Sequence, residues 1–469
     1  MNIPLNVGRL VAVAAVGFVT AWPGSGSAQL ALADTVDLSL EEAYRIAGLH
    51  NPAYRRSLND VSLNSAQTRT TWLTQVLPRL SLDVLNTNYS GRLTAQATDF
   101  FGNPIENPES NYVFSSYTSQ NASLTWNIQG ASLFHSLERQ RLTNADRALA
   151  GEGALWGLRS NVRRQFFSAL REAELLRLES DLLQERRVDH DLAERLFELA
   201  AITRVDLLNA ELEIEQQALN IQSQDGRYQR SLLTLRTTLG EIGLPPVRLA
   251  GEPQPVFDPS GLDAESLVRT AMDRNLDIRQ ARAAVTSASH AVSESRASWW
   301  PNLSARFDVG RFTQTRGPKA LFDLTSDDDL QSQLSLQLSI PFFNNYFQNS
   351  YDIQEAKVQV DNRSEDLRNA RLFAEEQVRG NLMTLSNQYE TYRLAQRSHD
   401  IAQEARRLAR EEYRLGTRTF TELRDIIAQE RNAARQVIEA QYGFVDALVS
   451  LEGAVGTPVE PQISMTGGR

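Results

Sequence analysis

Cysteine is absent from this chain of 469 residues, which excludes disulfides, thiolate metal sites, a cysteine nucleophile and a lipid carried on an N-terminal cysteine. Lysine is nearly absent: Lys319 and Lys357 are the only two, and the other basic residues are arginines. The net charge of −10 argues against a nucleic-acid partner. Past the N-terminus no apolar run approaches the ~20 residues of a membrane-crossing helix, so any residence in a bilayer would have to rest on strands. Catalytic signatures are missing as well: there is no GxxxxGK[ST] phosphate loop, no GxSxG elbow and no HExxH pair. His50, His135, His190, His290 and His399 never fall three or four residues apart, so helical metal-ligand spacing is absent, and methionine is too rare for a thioether relay. His190 and His399, each followed by an aspartate, read as helix-surface residues. These absences leave no catalytic residue, cofactor or metal site to assign, and the chain reads as a non-enzyme.

What is present begins with enough apolar residues (41%) against charged ones (23%) to fold rather than stay disordered. The first residues read as a secretory signal over 1–33. Arg9 supplies the positive charge, Leu10 to Thr20 the apolar run, and Ala31, Leu32 and Ala33 the cleavage site, so a mature chain is expected from Asp34.

The rest is one unit written twice. Ala43 through Asn51 resembles Leu267 through Asn275, and both stretches lead to a proline, Pro78 and Pro301. Phe197, Leu199, Asp206, Leu207 and Gly240 align with Tyr413, Leu415, Glu422, Leu423 and Gly456, each pair 216 apart (413 − 197). The organisation expected is a first repeat over 34–250, a Pro/Gly-rich linker over 251–261, a second repeat over 262–457 and a tail over 458–469. Leu207, Ala210, Ile214, Ala218, Ile221, Tyr228, Leu232, Leu235 and Leu239 form a helical apolar stripe, repeated at Leu423, Ile426, Val437, Phe444, Leu448, Leu451 and Val455. The segments Ser132–Glu198 and Asn344–Leu415 predict unbroken helices, the first about 100 Å long at ~1.5 Å per residue.

Near the prolines the period becomes two. Leu80, Leu82 and Val84; Leu124, Trp126 and Ile128; Leu303, Ala305, Phe307 and Val309; and Leu334, Leu336, Leu338 and Ile340 each alternate with polar residues. This predicts four strands of about ten residues, the length of a tilted membrane strand, each with one apolar and one polar face. Polar loops are expected at Ser90–Ser116 and Arg311–Asp329. Trp299, Trp300, Phe342, Phe343, Tyr346 and Phe347 cluster at the other strand ends like an interfacial girdle. Pro78, Pro301 and Pro341 mark the kinks between helix and strand, with Gly130 serving flexibly where the second strand lacks a proline. Four strands cannot close a barrel alone, so either several copies share one, or the sheet packs in water on a soluble coiled-coil rod. The greasy face such a rod would expose argues against it.

A doubled strand–strand–long-helix–turn–helix unit behind a signal peptide resembles the TolC-like outer-membrane efflux family, over about Leu38 to Gly456, and most specifically over Tyr413–Asp425 and its counterpart Phe197–Ala210. The resemblance implies a mainly helical two-repeat barrel with a small membrane β part. It implies a homotrimer with a 12-stranded barrel and a 12-helix periplasmic tunnel. The implied function is a passive outer-membrane exit duct for efflux or type I secretion, opened at its helical tip by a periplasmic adaptor and an inner-membrane pump, with the outer-membrane lipid as surroundings. Carried over residue by residue, Asp206 and Tyr413 match one link that holds the tip closed, and Arg418 matches another, whose partner position falls on Val205, which has no side-chain acceptor. Glu422 and Asp425 match the acidic pair ringing a cation-selective entrance. Ala200 stands in the first tip turn where the second has Gly416; because Ala resists the left-handed conformation, the first hairpin is expected to turn differently. The alternative kept open is a soluble periplasmic structural or interaction protein.

Overall fold

In a computed structural model of the chain, the described residues are 36–95, 100–101, 103–104, 110–129, 132–241, 247–251, 254–316, 330–340 and 346–459. The expected signal, Gly130, Pro341, Phe342 and Phe343 lie outside them. The elements run β1 (Val36–Leu38), α1 (Leu40–His50), α2 (Pro52–Val76), β2 (Arg79–Ala95), β3 (Ser110–Gln129), α3 (Ser132–Glu198), α4 (Arg204–Leu239), β4 (Val247–Leu249), α5 (Ala264–Arg274), α6 (Leu276–Ala297), β5 (Asn302–Arg316), β6 (Leu330–Ser339), α7 (Tyr346–Arg414) and α8 (Phe420–Val455). The order is that of two copies of helix, helix, strand, strand, long helix, helix. Among the described residues no helix is long and apolar enough to cross a membrane.

The repeat has a physical basis in its shared asparagines and glycines. Asn51 caps α2 and Asn275 caps α6, each accepting backbone N–H groups on its side-chain oxygen. Each also donates its amide across the fold, Asn51 to the Thr238 carbonyl and Asn275 to the Ala454 carbonyl, both at 2.8 Å. Two residues further on, Gly240 and Gly456 end α4 and α8 in the left-handed conformation. A Cβ on Gly240 would lie 2.5 Å from the His50 carbonyl oxygen, and one on Gly456 2.6 Å from that of Arg274. The repeated Asn and the repeated Gly are thus two halves of one contact. Next to the first copy of it lies an apolar core around Phe166, Leu235 and Leu239, and next to the second a core around Phe444, Leu448 and Leu451.

The stretch expected as a linker over 251–261 is packed into both repeats. Just before it, β4 pairs in parallel with β1. Gln254 accepts a hydrogen bond from Arg163, Phe257 meets the Phe444 ring edge-on at 5.3 Å, and Pro259 is buried. Pro and Gly made this segment look like a loop, but its Val256 and Phe257 are apolar anchors for the second core.

The four long strands form one antiparallel sheet in the order β2-β3-β5-β6. Its register puts Ser81, Ser123, Asp308 and Gln333 in line on one face, and Leu80, Leu124, Phe307 and Leu334 in line on the other. The polar face is tied by the Ser81–Ser123 hydroxyl pair and by Arg306 on Asp308. The apolar face is bare: Leu80, Leu82, Val84, Leu334, Leu336 and Leu338 are all at least 64% exposed. Three strands exceed the expected ten residues, at 17 for β2, 20 for β3 and 15 for β5. The ends of both expected loops, Ser90–Ala95, Ser110–Ser116 and Arg311–Arg316, are strand. The reason is clearest in β2. Asp83 pairs with Asn121, but Asn86 rather than Leu85 pairs with Ser119, so one extra residue bulges out. The bulge shifts the apolar set from even to odd numbers, keeping Tyr89 and Leu93 on the greasy face, and it breaks the period-two signal where the strand had seemed to stop.

Candidate functional site

Both helical hairpins end in the same turn. Ala200 N–H donates to the Phe197 carbonyl (2.9 Å) and Ala201 N–H to that of Leu196 (2.8 Å). At positions 216 higher, Gly416 N–H donates to Tyr413 (3.0 Å) and Thr417 N–H to Glu412 (3.0 Å). Each is a Schellman closure, with its left-handed residue at φ 53° for Ala200 and 74° for Gly416. The expectation that Ala200 would change the first turn is therefore corrected: alanine takes the strained conformation because the two closing hydrogen bonds and the helix restarting just beyond it leave no other route. The next helix starts identically too. Thr203 and Asp206 form a reciprocal capping box on α4, as Thr419 and Glu422 do on α8.

The candidate gate residues lie on these turns. Tyr413 is 3% exposed, in an apolar cluster of Ala193, Leu207, Ala210, Ala409, Phe420, Leu423 and Ile427. Its hydroxyl has no hydrogen-bond partner. Burial, with Asp206 and then Asp189 nearby, pushes its phenol up to about 12. Asp206 stands close enough to act on that phenol, but one of its carboxylate oxygens accepts from the Thr203 backbone N–H (3.0 Å) and hydroxyl (2.8 Å). Arg418 donates to Glu412 at 2.7 Å, within its own hairpin and not toward Val205. Glu422 accepts from the Thr419 N–H (3.0 Å) and hydroxyl (2.9 Å), which hold its carboxyl below the usual range. Asp425, one turn on, is exposed and meets only its neighbour Arg424, at 3.4 Å. Pro78 sits between the end of α2 and the start of β2, and Pro301 between α6 and β5, where a residue without an N–H is cheap. Beside the second junction Trp299 meets Tyr346 edge-on at 5.4 Å, with Trp300 and Phe347 exposed.

Sequence reasoning missed the charges that join the two hairpins. Arg410 of α7 donates to Asp189 of α3 at 2.8 Å, Arg406 pairs with Glu185 one turn away, and Arg435 of α8 donates to Glu179 at 2.9 Å. Asp189 is buried with one carboxylate oxygen unbonded, and burial raises its carboxyl despite Arg410. The available signal was an acid pair four apart on one helix and a basic pair four apart on another. Nothing in one dimension says that these faces meet. Within the second hairpin, His399 of α7 lies 3.4 Å from Glu430 of α8.

The described residues thus form long helical hairpins with paired turns at one end and a sheet with a bare apolar face at the other. The family model for "Outer membrane efflux protein" matches residues 267–457, essentially the second repeat. The chain is 22% identical over 433 residues to "Outer membrane protein TolC" of Escherichia coli (strain K12), covering 89% of this chain and 82% of that one. Among solved structures it shares its fold with the CusC channel (TM-score 0.65, 19% identity, 93% of this chain and 95% of that one). It likewise matches the MtrE outer membrane channel of Neisseria gonorrhoeae (TM-score 0.63, 18% identity, 89% of each chain). Over its second repeat the chain thus matches the outer membrane efflux protein family, and over nearly its whole length it is similar to TolC-like outer-membrane channels, a likeness that points to a channel of the outer membrane rather than an enzyme.

Proposed function

We propose that three copies assemble into a closed 12-stranded barrel continued by a tunnel of 12 helices, and that this trimer is the passive exit duct of a tripartite efflux or type I secretion system, opened at its tip by a periplasmic adaptor and an inner-membrane pump. The observation that carries the proposal is the sheet: its apolar face is bare, and β2 and β6 pair on one side only among the described residues. In lipid, each unpaired backbone group costs several kcal/mol, so these edges call for the edges of other copies. The helices support the same reading. Val205, Leu212, Leu219 and Leu233 lie along α4 at multiples of seven, and Leu394, Ile401 and Leu408 along α7, with Leu415 just past its end, at intervals of seven, all exposed. These are coiled-coil seams left open among the described residues.

The tip is the gate in this reading. Tyr413, Asp206 and Arg418 hold it closed; Glu422 and Asp425, three residues apart and so on one helix face, repeat around the axis as six carboxylates that favour cations. Single-channel currents in planar bilayers test it. Tyr413→Phe with Arg418→Ser is expected to enlarge small cation-preferring steps, and Glu422→Ala with Asp425→Ala to weaken cation preference and multivalent-cation block. Steps unchanged in the first variant remove the gate assignment; block surviving in the second moves the ring elsewhere. Alkali acts on the same lever. Because the Tyr413 phenol is raised in the folded state from about 10 to about 12, its contribution to tip stability is full below pH ~10 and is lost as pH rises through ~12, roughly 2–3 kcal/mol in all.

A further inference from the structure

We propose that His135 and His290 form a two-histidine site for a divalent transition-metal cation of the Zn²⁺, Ni²⁺ or Cu²⁺ class, clamping the first repeat to the second just below the sheet. His135 lies in the first turn of α3, directly after β3, and His290 about two turns before the end of α6, which leads into β5. Their rings meet with centroids 5.4 Å apart and planes tilted by 57°. The Nε2 of His290 is buried and has no hydrogen-bond partner among the described residues. Imidazole nitrogens bind zinc at about 2.0–2.1 Å, and with the ring centre about 1.2 Å behind the nitrogen, a tetrahedral angle at the metal separates two centroids by about 5.3 Å. The observed spacing matches that geometry, and a cation would supply the partner the orphaned nitrogen lacks. Neutral imidazole suits all three metals, and water can complete the shell.

The surroundings allow a cation. One turn along each helix, Arg139 of α3 and Glu294 of α6 pair at 2.5 Å, and Glu138 of α3 pairs with Arg141 at 3.4 Å, so these arginines are already matched by carboxylates. No cysteine competes for the metal. The other close cluster of potential ligands among the described residues, His190 with Asp191 and Glu194, stands near the tip with both carboxylates exposed, and serves as the internal comparison.

Titration calorimetry of the detergent-purified full-length assembly with ZnCl₂, and separately NiCl₂, tests the site. One tight site per chain is expected, weakened tenfold or more in His135→Gln and in His290→Gln, and unchanged in His190→Ala. The thermal midpoint of the parent should rise with added Zn²⁺, and that rise should vanish in the two glutamine variants, whose oligomer and circular dichroism report whether they fold. If one variant fails to fold, the other alone decides. Full-affinity binding in a folded glutamine variant overturns the proposal, as does loss of the tight site in His190→Ala or no binding to the parent.

Discussion

The two hairpins of this chain are copies in outline and opposites in the faces they show. α4 and α8 both have 36 residues, the same capping box and the same glycine end. Inside the first hairpin, however, Gln217 donates to the Glu179 backbone and carboxylate (2.8 and 2.7 Å), and Gln224 does the same to Glu172 (3.2 and 2.8 Å). At the matching places of the second hairpin stand Ala433 against Ala395, and Ala440 against Gln388. Outside, the order reverses. Val205, Leu212 and Leu219 of α4 are exposed, where α8 has Thr421, Ala428 and Arg435, and the exposed Leu233 corresponds to the buried Val449. The difference teaches that α8 is the central helix of its own chain, whereas α4 keeps its grease for a neighbour and spends polar groups on internal register. Buried hydrogen-bonded pairs of this kind hold a helix pair in one alignment at little net gain in stability.

The largest effect expected from breaking this contrast is on assembly. Leu212→Arg with Leu219→Arg places charges in each inter-copy seam and forfeits the burial of six leucines per trimer, roughly 9–18 kcal/mol at ~1.5–3 kcal/mol each. Light scattering in detergent should then show monomers, while Ala428→Arg, on the α8 side, should leave more of the oligomer intact. An unchanged trimer in the double variant would mean that α4 does not face another copy. A middle effect belongs to the internal layers. Gln217→Ala, which imitates the second hairpin, should cost about 2–3 kcal/mol, since it removes a charge-assisted bond and leaves Glu179 with Arg435 as its remaining side-chain partner. Urea unfolding measures it, and a cost near zero would make the polar layer ornamental. The smallest effect is at the turns. Ala200→Gly should stabilise by a few tenths to about 1 kcal/mol, as relief of left-handed strain outweighs the added freedom of the unfolded chain, and Gly416→Ala should cost about 1 kcal/mol. Equal and opposite shifts in denaturant midpoint would show that the two turns are energetically one motif.

Much of the fold was legible in one dimension. The 216-residue offset foretold two hairpins of equal length, down to the glycines at 240 and 456, because caps and left-handed ends are local chemistry. The four strands were legible where alternation was unbroken, and illegible past Val84, where a bulge changed its phase. The packing of the linker was not legible, because Pro and Gly report backbone freedom and say nothing about whether the neighbouring Val256 and Phe257 find a core. At the tip, Tyr413, Arg418 and Glu422 are readable as neighbours of one turn, but the choice of Glu412 by Arg418 is not, since a salt bridge depends on which rotamer is sterically open.

What this sequence determined by itself is therefore the set of local elements: where helices begin and end, which residues are apolar along them, the two-faced strands, and the absence of any catalytic constellation. Each follows from interactions reaching at most a few residues along the chain. The tertiary structure decided which faces meet: the Asn51 and Asn275 amides on the ends of α4 and α8, the arginines of α7 on the acids of α3, His135 against His290, and the apolar stripes left bare. Those outcomes depend on the rotation of long helices about their own axes. That rotation is set by the summed packing of many distant residues, and no short window of sequence contains it.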